Sequence, residues 1–211
     1  MAILQEMSEL LQKGRAKQVK ELVNQAITEG LSAKDILEEG LLSGMGIIGE
    51  KFKNNEVFVP EVLVAARAMN AGVELLKPLL VSEGVASKGT VVLGTVKGDL
   101  HDIGKNLVKL MMEGKGLKVV DLGVDVSAEK FIAAAEENDA DIIACSALLT
   151  TTMNEMKAVV DALSGTAIKD RVKVMVGGAP VTQAFCDSIG ADCYTEDAAS
   201  AADAALALCT A

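Results

Sequence analysis

Asp99 and His101 are the pair of residues in this chain best suited to chemistry, and three glycines frame them. The stretch 94–104 reads Gly-Thr-Val-Lys-Gly-Asp-Leu-His-Asp-Ile-Gly and holds the only histidine of the sequence. With one residue between them, both side chains can point to the same side of an extended loop, where the carboxylate can accept a hydrogen bond from one imidazole nitrogen. That bond fixes the tautomer and leaves the other nitrogen free as a base or metal ligand. A histidine beside acidic residues is commonly just solvated. Here Gly94, Gly98 and Gly104 argue for more, because they let backbone take φ > 0 or approach something closely.

Two phosphate-binding patterns fail at this loop. G-x-x-x-x-G-K-[ST] is nearly met from Gly98 to Asn106, yet five residues separate Gly98 from Gly104 and Asn106 stands in the hydroxyl position. G-x-G-x-x-G does not occur in the loop. Nucleotide hydrolysis and dinucleotide binding are therefore set aside.

The elements that must hold this loop are legible on either side of it. Val91, Val92 and Leu93 precede it, and Val108, Leu110, Met111 and Met112 follow at helical spacing. Further β-branched or apolar runs fall at 118–122, 141–145, 172–176 and, more weakly, 192–195. Helical patterns fill 105–114, 128–138, 153–163, 181–188 and 198–209. Such alternation predicts βαβ units with right-handed crossovers. The fold class is α/β, with a flavodoxin-like (Rossmann-type) doubly wound parallel sheet of five strands over 90–211 in the order 2-1-3-4-5. Ligands of such sheets sit between the loops after the first and third strands. The third-strand loop carries Thr150, Thr151 and Thr152, hydroxyls that can cap the following helix or serve a site.

Residues 1–83 read as an N-terminal helical bundle of four helices, and 84–89 as a short linker. Gly14 and Gly30 end the first two helices. Ser32 begins the third as an N-cap with Asp35 three residues on, and Pro60 suits the first turn of the fourth.

The composition narrows the partners. Half of the 211 residues are hydrophobic but only 2% are aromatic, so the core is built from Ala, Val, Leu, Ile and Met. A net charge of −10 argues against a nucleic-acid backbone or an anionic membrane. Cys145, Cys186, Cys193 and Cys209 form no C-x-x-C pair, as expected of reduced thiols in a cytoplasmic protein. No signal-peptide pattern or long uncharged apolar stretch is seen.

The Asp99-x-His101-x-x-Gly104 signature, followed by Ser146-x-Leu148 and then Gly177-Gly178, resembles in order and register the cobalamin-binding domains. The segment 50–60 is similar to the helical cap of cobalamin-dependent methionine synthase, so the resemblance spans nearly the whole chain. It implies that His101 is the axial ligand of cobalt and that Gly98, Asp99, Leu100, Asp102, Ile103 and Gly104 form the cofactor-binding loop. Asp99 and Thr152 would complete a proton relay, with threonine where methionine synthase has serine. Ser146 would contact the nucleotide tail beside Leu148 and Thr150, and Gly177 and Gly178 would leave room for it. Phe52 falls at the capping phenylalanine, and Val59 stands where that enzyme has leucine.

A helical cap on this domain, with little else, is similar to the corrinoid shuttle proteins of methanol, methylamine, glycine-betaine and methoxylated-aromatic methyltransferase systems. The resemblance implies a methyl carrier. A substrate-specific methyltransferase would methylate cob(I)alamin on it, and a second methyltransferase would pass the methyl to tetrahydrofolate or a thiol, with a reductive activating protein as a further partner. A cobalamin-binding sensor or regulator is the alternative, and a mutase subunit a third reading.

Overall fold

The computed structural model describes residues 2–210, which fall into two compact units, 2–87 with 114–116, and 88–113 with 117–210. In the first, α1 (Ala2–Gln12) and α2 (Ala16–Thr28) each end at a glycine. Gly14 and Gly30 take φ of 66° and 82°, and the next amide bonds back to Leu10 or Ala26, the left-handed helix stop that an L side chain resists.

The Ser32 hydroxyl accepts from the Asp35 amide and starts α3 (Ala33–Asp35). The Glu83 carboxylate accepts from the amides of Ala33 and Lys34, so the end of the bundle's last helix neutralises the open amides of this one. Continuous helical spacing predicts a plain α-helix from here to Lys53. Instead Ile36–Leu42 is π-helical, with the Ser43 amide reaching back to the Glu38 carbonyl, before α4 (Ser43–Lys53) resumes. α1 crosses this stretch closely: a β-carbon on Gly40 would meet Met7 Sδ at 2.7 Å, and one on Gly44 would meet Ser8 O at 3.0 Å.

α5 (Val59–Ser82) opens with Pro60 in its first turn, and Glu61 accepts from the Phe58 amide. Val62, Ala65, Ala66, Met69 and Leu76 form its buried stripe.

The second unit alternates strand and helix throughout: β1 (Thr90–Thr95), α6 (Ile103–Gly114), β2 (Lys118–Asp121), α7 (Ala128–Glu137), β3 (Ile142–Ser146), α8 (Asn154–Ser164), β4 (Lys173–Gly177), α9 (Gln183–Ile189), β5 (Cys193–Tyr194) and α10 (Ala198–Thr210). All neighbouring strands pair in parallel, in the order β2-β1-β3-β4-β5. Val91, Val92, Ile142 and Ile143 are fully buried, the expected state of strands covered on both faces.

Gly94 serves this core: a β-carbon there would lie 2.8 Å from the buried ring of Phe131, so its close approach is to the protein's own aromatic. Burial pushes the Cys145 thiol up to about 12, so at neutral pH it is an inert core residue. Among the described residues no helix is long and apolar enough to cross a membrane.

Candidate functional site

Register brings the candidate residues to one edge of the sheet. Thr95 pairs with Ser146, and Ser146 with Gly177, so the loops after β1, β3 and β4 leave side by side. Beyond β1, Gly98 takes φ of 80° and the Asp99 amide bonds to the Val96 carbonyl, a tight turn that swings the Asp99 side chain inward.

Asp99 is 0% exposed and accepts five hydrogen bonds. Its Oδ1 takes the His101 amide at 3.1 Å and the His101 Nδ1 at 2.7 Å. Oδ2 takes the amides of Leu148 at 2.8 Å and Leu149 at 3.1 Å, and the Thr152 hydroxyl at 2.9 Å. Burial alone would raise this carboxyl. Donation from the His101 imidazole, the Leu148 and His101 amides and the Thr152 hydroxyl outweighs it and holds Asp99 well below the usual carboxylate range.

Asp99 is therefore ionised, and His101 must carry its proton on Nδ1. In the neutral imidazole Nε2 then keeps its lone pair, on a ring whose side chain is half exposed. Thr152 is buried, and its hydroxyl oxygen, with a single proton to give, lies 2.9 Å from both Asp99 Oδ2 and the Leu149 carbonyl oxygen. The carboxylate is the stronger acceptor.

The structure thus joins Asp99, His101 and Thr152 in one network, and enlists Leu148 through its amide. Around them, Leu100 (71%), Ile103 (79%), Leu148 (45%) and Leu149 (41%) turn large apolar side chains outward. Apolar side chains grouped this way mark a binding surface. Asp102 is exposed and accepts from the Asn106 amide group at the start of α6, while Gly104 would meet nothing within 4 Å if it carried a β-carbon. Thr150 is exposed and outside the hydrogen-bond network. Phe52, near the end of α4, and Val59, at the start of α5, lie in the first unit; both are partly buried and neither belongs to that unit's fully buried core.

Sequence reasoning overlooked three supports. The buried Thr95 hydroxyl donates to the His101 carbonyl at 2.8 Å, the Leu149 amide is a second backbone donor to Asp99, and Asp125 in the loop after β2 accepts from the Gly98 amide at 2.7 Å. A threonine closing an apolar strand was the one available signal for Thr95.

The two glycines after β4 separate by cause. A β-carbon on Gly178 (φ 130°) would sit 1.9 Å from the Ala147 carbonyl oxygen, so the chain itself requires glycine there. One on Gly177 would find only the Thr195 carbonyl, at 3.9 Å. Gly178→Ala should lower the melting temperature by roughly 5–10 °C, the scale of backbone strain and overpacking together. Gly177→Ala should leave it within about 2 °C. Calorimetry on the ligand-free protein checks both, and equal losses would show that the β-carbon distances do not govern.

Comparison with known proteins follows the same division. The B12 binding domain matches residues 89–206, and a second family, also described as a B12 binding domain, matches 3–77. A corrinoid protein of Desulfitobacterium hafniense (strain Y51) is 42% identical over 97% of this chain and 96% of its own length. The dimethylamine corrinoid protein of Methanosarcina barkeri is 45% identical over 94% of this chain and 93% of its own. The crystal structure of the methanol:cobalamin methyltransferase complex MtaBC from Methanosarcina barkeri contains a chain that matches with a TM-score of 0.89 at 34% identity, over 99% of this chain and 80% of that one. Matched along nearly its whole length by such relatives, the chain belongs to the B12-binding corrinoid proteins.

Proposed function

We propose that this protein is the methyl carrier of a cobalamin-dependent methyltransferase system, and that His101 is the axial ligand of its cofactor. The observation that carries the reading is the buried, ionised Asp99 holding the proton of His101 on Nδ1, with Nε2 left free among four outward apolar side chains. That donor set fits a metal brought by an apolar macrocycle: one nitrogen for the metal, an apolar bed for the ring, and no β-carbon at Gly104 to obstruct it.

When bound, cobalt supplies the chemistry of accepting and releasing a methyl group. The chain's own residues do the rest. Asp99 keeps the Nδ1 proton in place and makes the imidazole a better donor, and Thr152 donates to the far oxygen of the same carboxylate, so a proton held at Asp99 or His101 is coupled to what the ligand gives. Leu100, Ile103, Leu148 and Leu149 exclude water. Ser146 and Gly177 are assigned to the nucleotide tail. Residues 1–83 act as cap, 84–89 as linker and 90–211 as the cofactor-bearing domain.

In this reading a substrate-specific methyltransferase loads the carrier and a second one, with tetrahydrofolate or a thiol as acceptor, unloads it. A reductive activating protein restores the cofactor, and all act in the cytoplasm. The dimethylamine relative and the methanol complex supply the first donors to try. The test is to incubate the reduced, cobalamin-loaded protein with candidate methyltransferases and methylamines, methanol, glycine betaine or methoxylated aromatics, following the visible spectrum. Methylation with one donor–enzyme pair is the expected result. A protein that stays inert across the panel yet changes oligomeric state on cofactor binding or illumination would be the sensor instead.

Phe52 and Val59 are assigned to shielding the reactive face. Because Phe52 is not fully buried, Phe52→Ala should cost about 1 kcal/mol or less, below the range for a core phenylalanine. It should nonetheless speed photolysis of the bound cofactor severalfold while leaving its binding intact. A large fall in melting temperature with unchanged photolysis would return Phe52 to the bundle.

A further inference from the structure

The loop that carries His101 is held at both ends by the end of β2 and the segment that follows it, and sequence patterns gave no hint of it. Beyond β2 the chain keeps running beside β1. Leu122 donates to the Leu93 carbonyl, Thr95 to the Gly123 carbonyl and Val126 to the Thr95 carbonyl, and Val96 and Val126 form a parallel bridge. The last residue of β2, Asp121, and Asp125 in this extension thus reach the two ends of the stretch 98–105.

Upstream, Asp125 grips the turn reciprocally. Its carboxylate accepts from the Gly98 amide at 2.7 Å, and its own amide donates to the Asp99 carbonyl at 3.0 Å. Asp125 does so from a left-handed backbone conformation, φ 53°, one that aspartate, asparagine and glycine adopt most readily. Downstream, Asp121 pairs with Lys105 at 2.7 Å, and Lys105 is only 2% exposed. The same Asp121 oxygen accepts from the Gly123 amide at 3.0 Å, which ties the pair to the extension itself. Neither aspartate touches the imidazole.

We infer that the segment 121–125 is a two-point brace, with Asp125 a positioning residue that sets the turn on which Asp99 and His101 meet. The physical reason is leverage. Asp99 and His101 are two residues apart on a turn opened by a left-handed glycine, so the 2.7 Å bond between them depends on the backbone at Gly98 and Asp99 being fixed. Gly98 is an exposed residue, and water in place of Asp125 would take its amide without directing it. A charged acceptor in a fixed left-handed conformation directs it. Without that hold, the His101 proton is free to move to Nε2, the tautomer that cannot donate a lone pair from that nitrogen.

The inference rests on the reading of His101 as ligand only for its consequence at cobalt, so it is tested first without cofactor. His101 is the only histidine, and the nitrogen-15 signals of its ring need no assignment. Asp125→Gly keeps the left-handed backbone and removes the acceptor; Asp125→Asn keeps both and removes the charge. The wild-type protein should be in the Nδ1-protonated form. Asp125→Asn should raise the Nε2-protonated fraction modestly, and Asp125→Gly by roughly tenfold, the scale of one lost hydrogen bond to a charged group.

Loaded with cobalt(II) cobalamin, Asp125→Gly should show a matching loss of imidazole nitrogen splitting in its electron paramagnetic resonance spectrum. An unchanged tautomer ratio in both variants overturns the brace, whatever happens to the melting temperature. Should Asp125→Gly fail to fold, Asp125→Asn decides alone on the same ratio. If instead the ratio moves but wild-type protein itself lacks nitrogen splitting, the brace stands and the ligation reading falls.

Discussion

Asp99→Asn is expected to destabilise the second unit by about 2–4 kcal/mol. Both oxygens of Asp99 are committed, one to two donors from His101 and the other to the Leu148 and Leu149 amides and the Thr152 hydroxyl. Asparagine has a single acceptor oxygen. Whichever way its amide turns, an NH2 group faces donors in a site with no exposure, and at least two donors lose their partner. If the NH2 faces His101, the ring must accept at Nδ1 and carry its proton on Nε2, which removes the free lone pair. The variant should therefore shift the cobalt(II)/cobalt(I) potential and its pH dependence more than Thr152→Val, which removes only one of the five donors.

Acid sensitivity gives an independent reading of the same residue. The folded-state pKa of Asp99 lies below its unfolded value, so between the two the unfolded chain binds the extra proton. Its contribution is complete above about pH 5 and is lost progressively as the pH falls through about 4 toward the folded value. Denaturant titrations from pH 7 down to 3 should show wild-type stability falling more steeply than that of Asp99→Asn, with the two curves converging at the acid end. Parallel curves would mean that Asp99 is not held as an ion.

The second large effect is His101→Ala, and it should be nearly silent in stability. The ring is half exposed, and its removal leaves Asp99 with the His101 backbone amide and the three donors of the β3 loop. A change within about 1 kcal/mol is expected on denaturation. At cobalt the change should be complete: nitrogen splitting from a protein imidazole disappears, while the cofactor stays bound through its other contacts. Added imidazole should restore the splitting. A spectrum indistinguishable from wild type would remove His101 as the ligand.

Much of this arrangement was legible because it follows from local chemistry. Strands buried on both faces must be apolar runs, so Val91–Val92 and Ile142–Ile143 stand out, and alternation with helical spacing leaves few topologies. Gly14, Gly30 and Ser32 act within one helical turn of themselves and read directly. What escaped was set by distant partners. Asp125 and Thr95 act through hydrogen bonds to other loops, and no periodicity encodes which amide a loop aspartate will meet. The glycines were legible as special but not in their cause: Gly94 yields to Phe131 and Gly178 to the Ala147 carbonyl, both features of the folded chain.

The π-helical stretch Ile36–Leu42 carries a consequence for chain length. A turn closed between residues five apart houses one residue more than an α-turn, so the helices on either side are already offset by that residue. Deleting the exposed Glu39 would let the stretch relax to α-helix with the buried faces before and after it still aligned. The same deletion at the exposed Arg67 of α5 would rotate everything downstream by about 100° and turn Met69 and Leu76 away from the core. The bundle thus has one place where its length can change by a residue at little cost, and insertions or deletions among its relatives should gather there.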